Sequence, residues 1–146
     1  MSQTHRLQQK IDAHTEAVST FLAQLEGWCD DADIHPGVAG PVGLLMDEWL
    51  TNLVMHAYRG AGGLVEIEVE APSPDRLEVL VRDWGPAFDP THAREPDLAL
   101  SIDEREPGGL GIHFMRRMAT HMDYVRRGDA NELRFGKAAA TAKLGD

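Results

Sequence analysis

The chain predicts an α+β fold, a two-layer sandwich with its helices on one face of a mixed or antiparallel sheet. Three observations carry that expectation. Apolar residues recur at helical spacing early in the chain, two middle runs alternate apolar and polar residues, and a glycine-led helix near the end precedes two more strand-like runs. At 146 residues the chain suits one hydrophobic core, so a single domain is expected over 1–146.

Each element follows from local pattern. Val18, Phe21, Leu22 and Leu25 share one helical stripe in "AHTEAVSTFLAQLEGWC", predicting a first helix over about 13–29 that ends near Gly27. "DDADIHPGVAGP" reads as a connector, with Pro and Gly as punctuation. A second helix is expected over about 40–58, stopped by "RGAGG". "LVEIEVEA" and "RLEVLVRDW" alternate at period two on either side of the turn "PSPD", an antiparallel hairpin. Residues 86–107 hold four prolines and mixed charge, which predicts a long loop with one short helical turn at about 98–102. After "GGLG" comes a third helix, "IHFMRRMATHM", then the closing strands "DYVRRG" and "NELRFGKA". A short strand ahead of the first helix fits the order, though its position is not defined.

Composition narrows the function. A formal net charge of -10 argues against a nucleic-acid surface, which needs a basic stripe. An anionic small molecule stays open where backbone N–H groups, a helix terminus or a metal supply the positive potential. The longest apolar run falls far short of the roughly 20 residues of a membrane span, and "MSQTHRLQQKIDAHTEAV" has no apolar signal core. A soluble cytoplasmic protein without membrane contact is expected. The one cysteine, Cys29, has no internal disulfide partner and no obvious activator, so it reads as structural.

The second helix poses the functional question. In "MDEWLTNLVMHAY", Glu48, Asn52 and His56 stand four residues apart, so an α-helix places them in a nearly straight row at the rim of its apolar face. Such a row suits the floor of a site, and it also fits boundary polar residues with a terminal histidine favoured by the helix dipole. "VRDWGPAFDP" ends a strand at Asp83, an acceptor-only carboxylate suited to a purine's exocyclic amine, followed by Gly85. "EPGGLGIHFM" brings Gly108, Gly109 and Gly111 to a helix start, where bare N–H groups can donate to a phosphate. The long segment between them is placed to act as a lid.

In order and spacing these three boxes resemble the ATP-binding domain shared by DNA gyrase B, the Hsp90 chaperones, the histidine kinases and MutL, the GHKL or Bergerat fold. Glu48 and Asn52 match its N-box, E-x-x-x-N. Asp83, Gly85, Phe88, Asp89 and Pro90 match the first glycine box, and Gly108, Gly109, Leu110 and Gly111 the second, so the motifs span about 40–136 with a lid at 86–107. "TNLVMHAY" and "GPAFDP" look most like the bacterial anti-sigma factor serine kinases. That resemblance implies ATP as cofactor, Asn52 as ligand of a phosphate-bridging Mg²⁺, and Glu48 as the catalytic carboxylate acting on the attacking hydroxyl. It further implies Asp83 on the adenine amine with Gly85 clearing space for the base, and Gly109, Leu110 and Gly111 at the phosphates, with His56 a phosphate neighbour. The implied partners are a sigma factor and a small anti-sigma factor antagonist. Relatives of that branch are often dimers, and the stripe of the first helix serves either a homodimer contact or the core.

Two departures keep a second reading open. Pro86 and Ala87 stand where a second glycine or a proline is commoner, and "RRGDANELRF" lacks the usual Gly-Thr pair; Asn131 is a candidate to take over part of that threonine's hydrogen bonding. The alternative is a non-catalytic switch that reads nucleotide, or that binds partners without it.

Overall fold

The structure, a computed structural model, describes residues 5–92 and 109–140. Its elements in chain order are β1 (His5–Asp12), α1 (Thr15–Asp31), α2 (Pro36–Asn52), β2 (Leu64–Ser73), β3 (Arg76–Asp83), α3 (Gly109–Met118), β4 (His121–Arg127) and β5 (Ala130–Ala138). A π-helical turn, Leu53–Ala57, continues α2 without a break, and a 3-10 turn covers Pro90–His92. The fold is α+β, as expected. Of the two sheet types the sequence allows, mixed or antiparallel, the described strands form the antiparallel one, in the order β1-β2-β3-β5-β4. The loose first strand is β1, paired along its whole length with β2. The helical turn expected at 98–102, most of the lid segment and Gly108 lie outside the described residues.

Alternation decides which face each strand residue takes. On β2, Val65, Ile67 and Val69 are buried while Glu66, Glu68 and Glu70 look outward. The inward set meets Phe21 and Leu25 of α1, Leu45 and Trp49 of α2, and Ile112 and Met115 of α3 in one continuous core. On the outer face, Lys10, Glu66, Arg82 and Glu132 are successive register partners across four strands. They form ion pairs of 3.5, 2.9 and 2.8 Å, and Arg127 of β4 closes the row on Glu132 at 2.7 Å. Opposite charges directly across a sheet support its register.

Several helix boundaries differ from the expected ones, and α1 runs on to Asp31, past Gly27. The stretch read as a connector forms the first turn of α2, which starts at Pro36 rather than near 40. Proline suits the first helical position because its missing N–H would be unpaired there anyway, and His35 caps the turn by accepting from the Gly37 N–H through Nδ1 at 2.8 Å. α3 begins at Gly109, inside the glycine stretch expected to precede it, and stops at Met118, since His121 and Met122 belong to β4. Cys29 is buried on α1, and that burial, helped by the Asp30 charge, pushes its thiol up to about 11. A protonated, buried thiol is inert, in keeping with a structural role. No helix among the described residues is long and apolar enough to cross a membrane.

Candidate functional site

The end of α2 and the end of β3 enclose a cleft of about 300 Å³. Its helical wall is Trp49, Asn52, Leu53 and His56, and its sheet wall is Asp83 and Asn131. The segment after β3 covers it with Phe88, whose ring stacks on Trp49 at a centroid distance of 6.3 Å and an interplanar angle of 16°. Apolar walls around a few convergent polar groups are the usual composition of a small-molecule site.

Asp83 is the best-defined of those groups. It is 1% exposed, and its Oδ1 accepts from the Gly85 N–H and from Asn131 Nδ2, each at 2.9 Å. Its Oδ2 has no partner among the described residues and belongs to a side chain that lines the cleft. Burial raises the Asp83 carboxyl above its ordinary value, while Asn131, the Gly85 N–H and the Arg126 charge act against that rise. Gly85 has no left-handed backbone. A Cβ there would lie 2.8 Å from the Ala57 Cβ and 3.2 Å from Asp83 Oδ1, so glycine is required by the close approach of the π-helical turn.

Asn52 lies on the rim of α2, nine-tenths buried, and its carboxamide makes no hydrogen bond among the described residues. The buried side-chain polar atom without a partner among the described residues is Trp49 Nε1, whereas the Asn52 amide opens onto the cleft and is available to a ligand there. His56, expected in a straight row with Glu48 and Asn52, follows a change of helix: Tyr58 N–H bonds to Leu53 O at 2.9 Å, the wider i to i+5 spacing. Such turns often mark functional sites. Both Asn52 and His56 line the cleft, whereas Glu48 stands outside its lining. The Glu48 carboxylate packs instead against Gly111, leaving no room for a Cβ there. Gly109 and Leu110 are the first residues of α3, of which only the backbone is described.

Some site residues were not singled out from the sequence. Arg59 lines the cleft in a left-handed conformation, φ 51°, and has no ion-pair partner among the described residues. Its only sequence signal was its place before Gly60 at a helix stop. Trp49 carried no separate signal and Phe88 only its place in the first glycine box, since their stacking joins segments that periodicity treats separately. Tyr58 donates from its hydroxyl to Leu64 O at 2.6 Å and accepts from the Trp84 N–H at 2.8 Å, tying the helix end to β2 and β3. Asn131 was noted only as a stand-in for a threonine.

An antiparallel sheet backed by helices, with a buried carboxylate at a strand end and an amide on a helix rim lining one cleft, defines an α+β domain with a site of small-molecule size. The chain belongs to the histidine kinase-like ATPase domain family, whose pattern matches residues 11–137. It is 31% identical over 126 residues to the serine-protein kinase RsbW of Bacillus subtilis, covering 82% of this chain and 76% of that protein. Against RsbW of Bacillus licheniformis the identity is 36% over 126 residues, with the same coverage of 82% and 76%. The serine/threonine-protein kinase BtrW of Bordetella bronchiseptica is 35% identical over 91 residues, 62% of this chain and 63% of BtrW, so the match spans less than two thirds of that relative. Among solved structures, the RsbU and RsbW domains of Rv1364c from Mycobacterium tuberculosis superpose with a TM-score of 0.60 at 14% identity. That match covers 95% of this chain and 35% of the other, and it bears on the fold alone.

Proposed function

We propose that the chain binds ATP and acts as a protein serine/threonine kinase of the anti-sigma factor type. One observation carries this reading: a buried carboxylate with a free oxygen, Asp83, and an unpartnered amide, Asn52, line one cleft. The names of the relatives, serine-protein kinase RsbW and serine/threonine-protein kinase BtrW, support it.

In this reading Asp83 Oδ2 accepts the adenine amine, and the base lies between the helical wall and Phe88. Asn52 fits Mg²⁺, because an amide oxygen is a hard donor and this cation keeps most of its other ligands as water and phosphate oxygens. No cluster of three His, Cys, Asp or Glu among the described residues forms a metal cage, so Asn52 is the protein ligand this reading assigns. The metal would neutralise phosphate charge. Arg59 supplies positive potential in a chain of net charge -10, and His56 lines the same cleft. Glu48 accepts the proton of a partner's hydroxyl as its oxygen bonds to the γ-phosphorus and the bond to the β-phosphate oxygen breaks, releasing ADP. Gly109, Leu110 and Gly111 offer backbone N–H groups at the start of α3. The partners are a small antagonist protein carrying the accepting hydroxyl and a sigma factor held when the antagonist is not engaged.

Calorimetric titration with ATP, with and without Mg²⁺, on the wild type and Asn52→Ala is the test. Metal-dependent binding that weakens in the variant is expected, and no binding under either condition rules the reading out. A nucleotide-sensing switch without phosphotransfer is the second reading, favoured by the position of Glu48 outside the cleft lining. Glu48→Ala separates the two: loss of phosphotransfer with ATP binding kept is expected of the kinase, and unchanged regulation by that variant rules the kinase out.

A further inference from the structure

Asn131 is 3% exposed and every polar atom of its side chain is engaged. Its Nδ2 donates to Asp83 Oδ1 at 2.9 Å, to Pro86 O at 3.1 Å and to Gly85 O at 3.2 Å. Its Oδ1 accepts from the Tyr124 hydroxyl and from Arg126 Nη1 at 3.1 Å. The two donors come from β4, and an amide flipped end for end would set its NH₂ against a guanidinium that has only donors. Arg126 is itself anchored twice more, through Nη1 to Gly85 O at 2.9 Å and through Nε to Gly128 O at 3.0 Å. Gly128 sits in the β4–β5 turn with φ 59°. One side chain thus joins the hairpin turn, the segment after β3 and the amide that touches Asp83.

We propose that Arg126 and Tyr124 are positioning residues for nucleobase recognition, acting through Asn131 to hold Asp83 with Oδ1 occupied and Oδ2 presented to the 6-amino group of a purine. This rests on the nucleotide reading above and extends it to a specificity device on the β4–β5 hairpin. A hydroxyl in place of Asn131 could rotate between donor and acceptor roles, whereas a carboxamide clamped at its oxygen offers Asp83 a fixed donor. The ligand class follows from the resulting pattern. An acceptor-only oxygen favours a 6-aminopurine, disfavours a 6-oxopurine by repulsion between acceptors, and gains nothing from an unsubstituted purine.

The Arg126 charge also opposes the burial that raises the Asp83 carboxyl. The other charged or titratable groups facing this region are Tyr58 from the helix end, whose burial raises it and whose charge couples to Asp83, and His56 and Arg59 in the cleft. All three remain in an Arg126 variant.

The test is equilibrium binding of ATP and of purine ribonucleoside triphosphate, which lacks the 6-amino group, with Mg²⁺ between pH 5 and about 8 on the wild type, Arg126→Met and Tyr124→Phe, with melting temperatures alongside. The wild type is expected to prefer ATP by about tenfold or more, the usual cost of losing a hydrogen bond to a charged group. Arg126→Met should bring the ratio within about threefold, mainly by weakening ATP, and should move the acid loss of ATP binding to higher pH; Tyr124→Phe should fall between. An unchanged ratio and unchanged pH midpoint in both variants overturn the proposal, even if their melting temperatures drop. Equal weakening of both nucleotides also overturns it, since that marks a merely structural role. A wild type that binds neither nucleotide overturns the nucleotide reading, and this inference with it.

Discussion

Asp83 concentrates the conflict between folding and binding in one carboxylate. Between the ordinary carboxyl value of 3.8 and its raised value, the folded protein holds a proton that the unfolded chain has lost. Its contribution to stability therefore falls as pH rises through that window, opposite in sign to a salt-bridged aspartate. Asp83→Asn removes the ionisation yet keeps an oxygen for the Gly85 and Asn131 donors. The apo variant is expected to melt at or above the wild-type temperature at neutral pH, and to bind ATP about tenfold or more weakly because an NH₂ now faces the base. Calorimetry with and without nucleotide measures both; a destabilised apo variant that still binds ATP would contradict the assignment. Asp83 and Asn52 were legible in the sequence because their boxes are local. The Asn131 contact was not, since it joins residues 48 positions apart.

At the scale of elements, the second helix carried most of the signal and also the largest departures. Its apolar stripe was readable, but Pro36 and Pro41 with Gly37 and Gly40 made its start look like a connector. Burial of Val38 and Val42 in the core outweighs weak local propensity there. The π-helical turn left no sequence signal either, because periodicity over five residues does not separate it from an α turn. α2 and α3 meet where the Glu48 carboxylate packs on Gly111. Gly111→Ala raises helix propensity by up to about 1 kcal/mol and displaces only the far end of a flexible, exposed side chain. Its melting temperature should hold or rise, while phosphotransfer to a hydroxyl-bearing partner should drop about tenfold or more if Glu48 is the base. Gly85→Ala behaves differently. Its Cβ meets Ala57 beside the cleft, so a loss of about 1–3 kcal/mol in urea unfolding is expected along with weaker nucleotide binding.

The whole molecule depends on a core shared by three helices and on a charged outer face. Leu45, fully buried, touches that core from α2, and Leu45→Ala should cost about 2–5 kcal/mol in urea unfolding with an unchanged slope. The outer row ends on Glu132, whose side chain is 8% exposed beneath two arginines. Burial alone would raise its carboxyl, but the hydrogen bonds and charges of Arg127 and Arg82 hold it below its ordinary value of 4.5. That stability is present above the ordinary value and is lost as pH falls through the lowered one. Glu132→Gln should therefore be less stable than the wild type at neutral pH and lose less on acidification, as followed by thermal melts from pH 7 to about 3.

Pattern alone determined the α+β class, the hairpin of β2 and β3 with the alternating faces of those two strands, and the three boxes, because each depends on residues within a few turns of one another. The sheet order placing β5 between β3 and β4, the occupied and free oxygens of Asp83, the Arg59 cation in the cleft and the Arg126 clamp were decided only by tertiary structure. Each of these requires side chains from distant strands to meet, and a contact of that kind is set by the packing of the whole core rather than by any stretch of sequence.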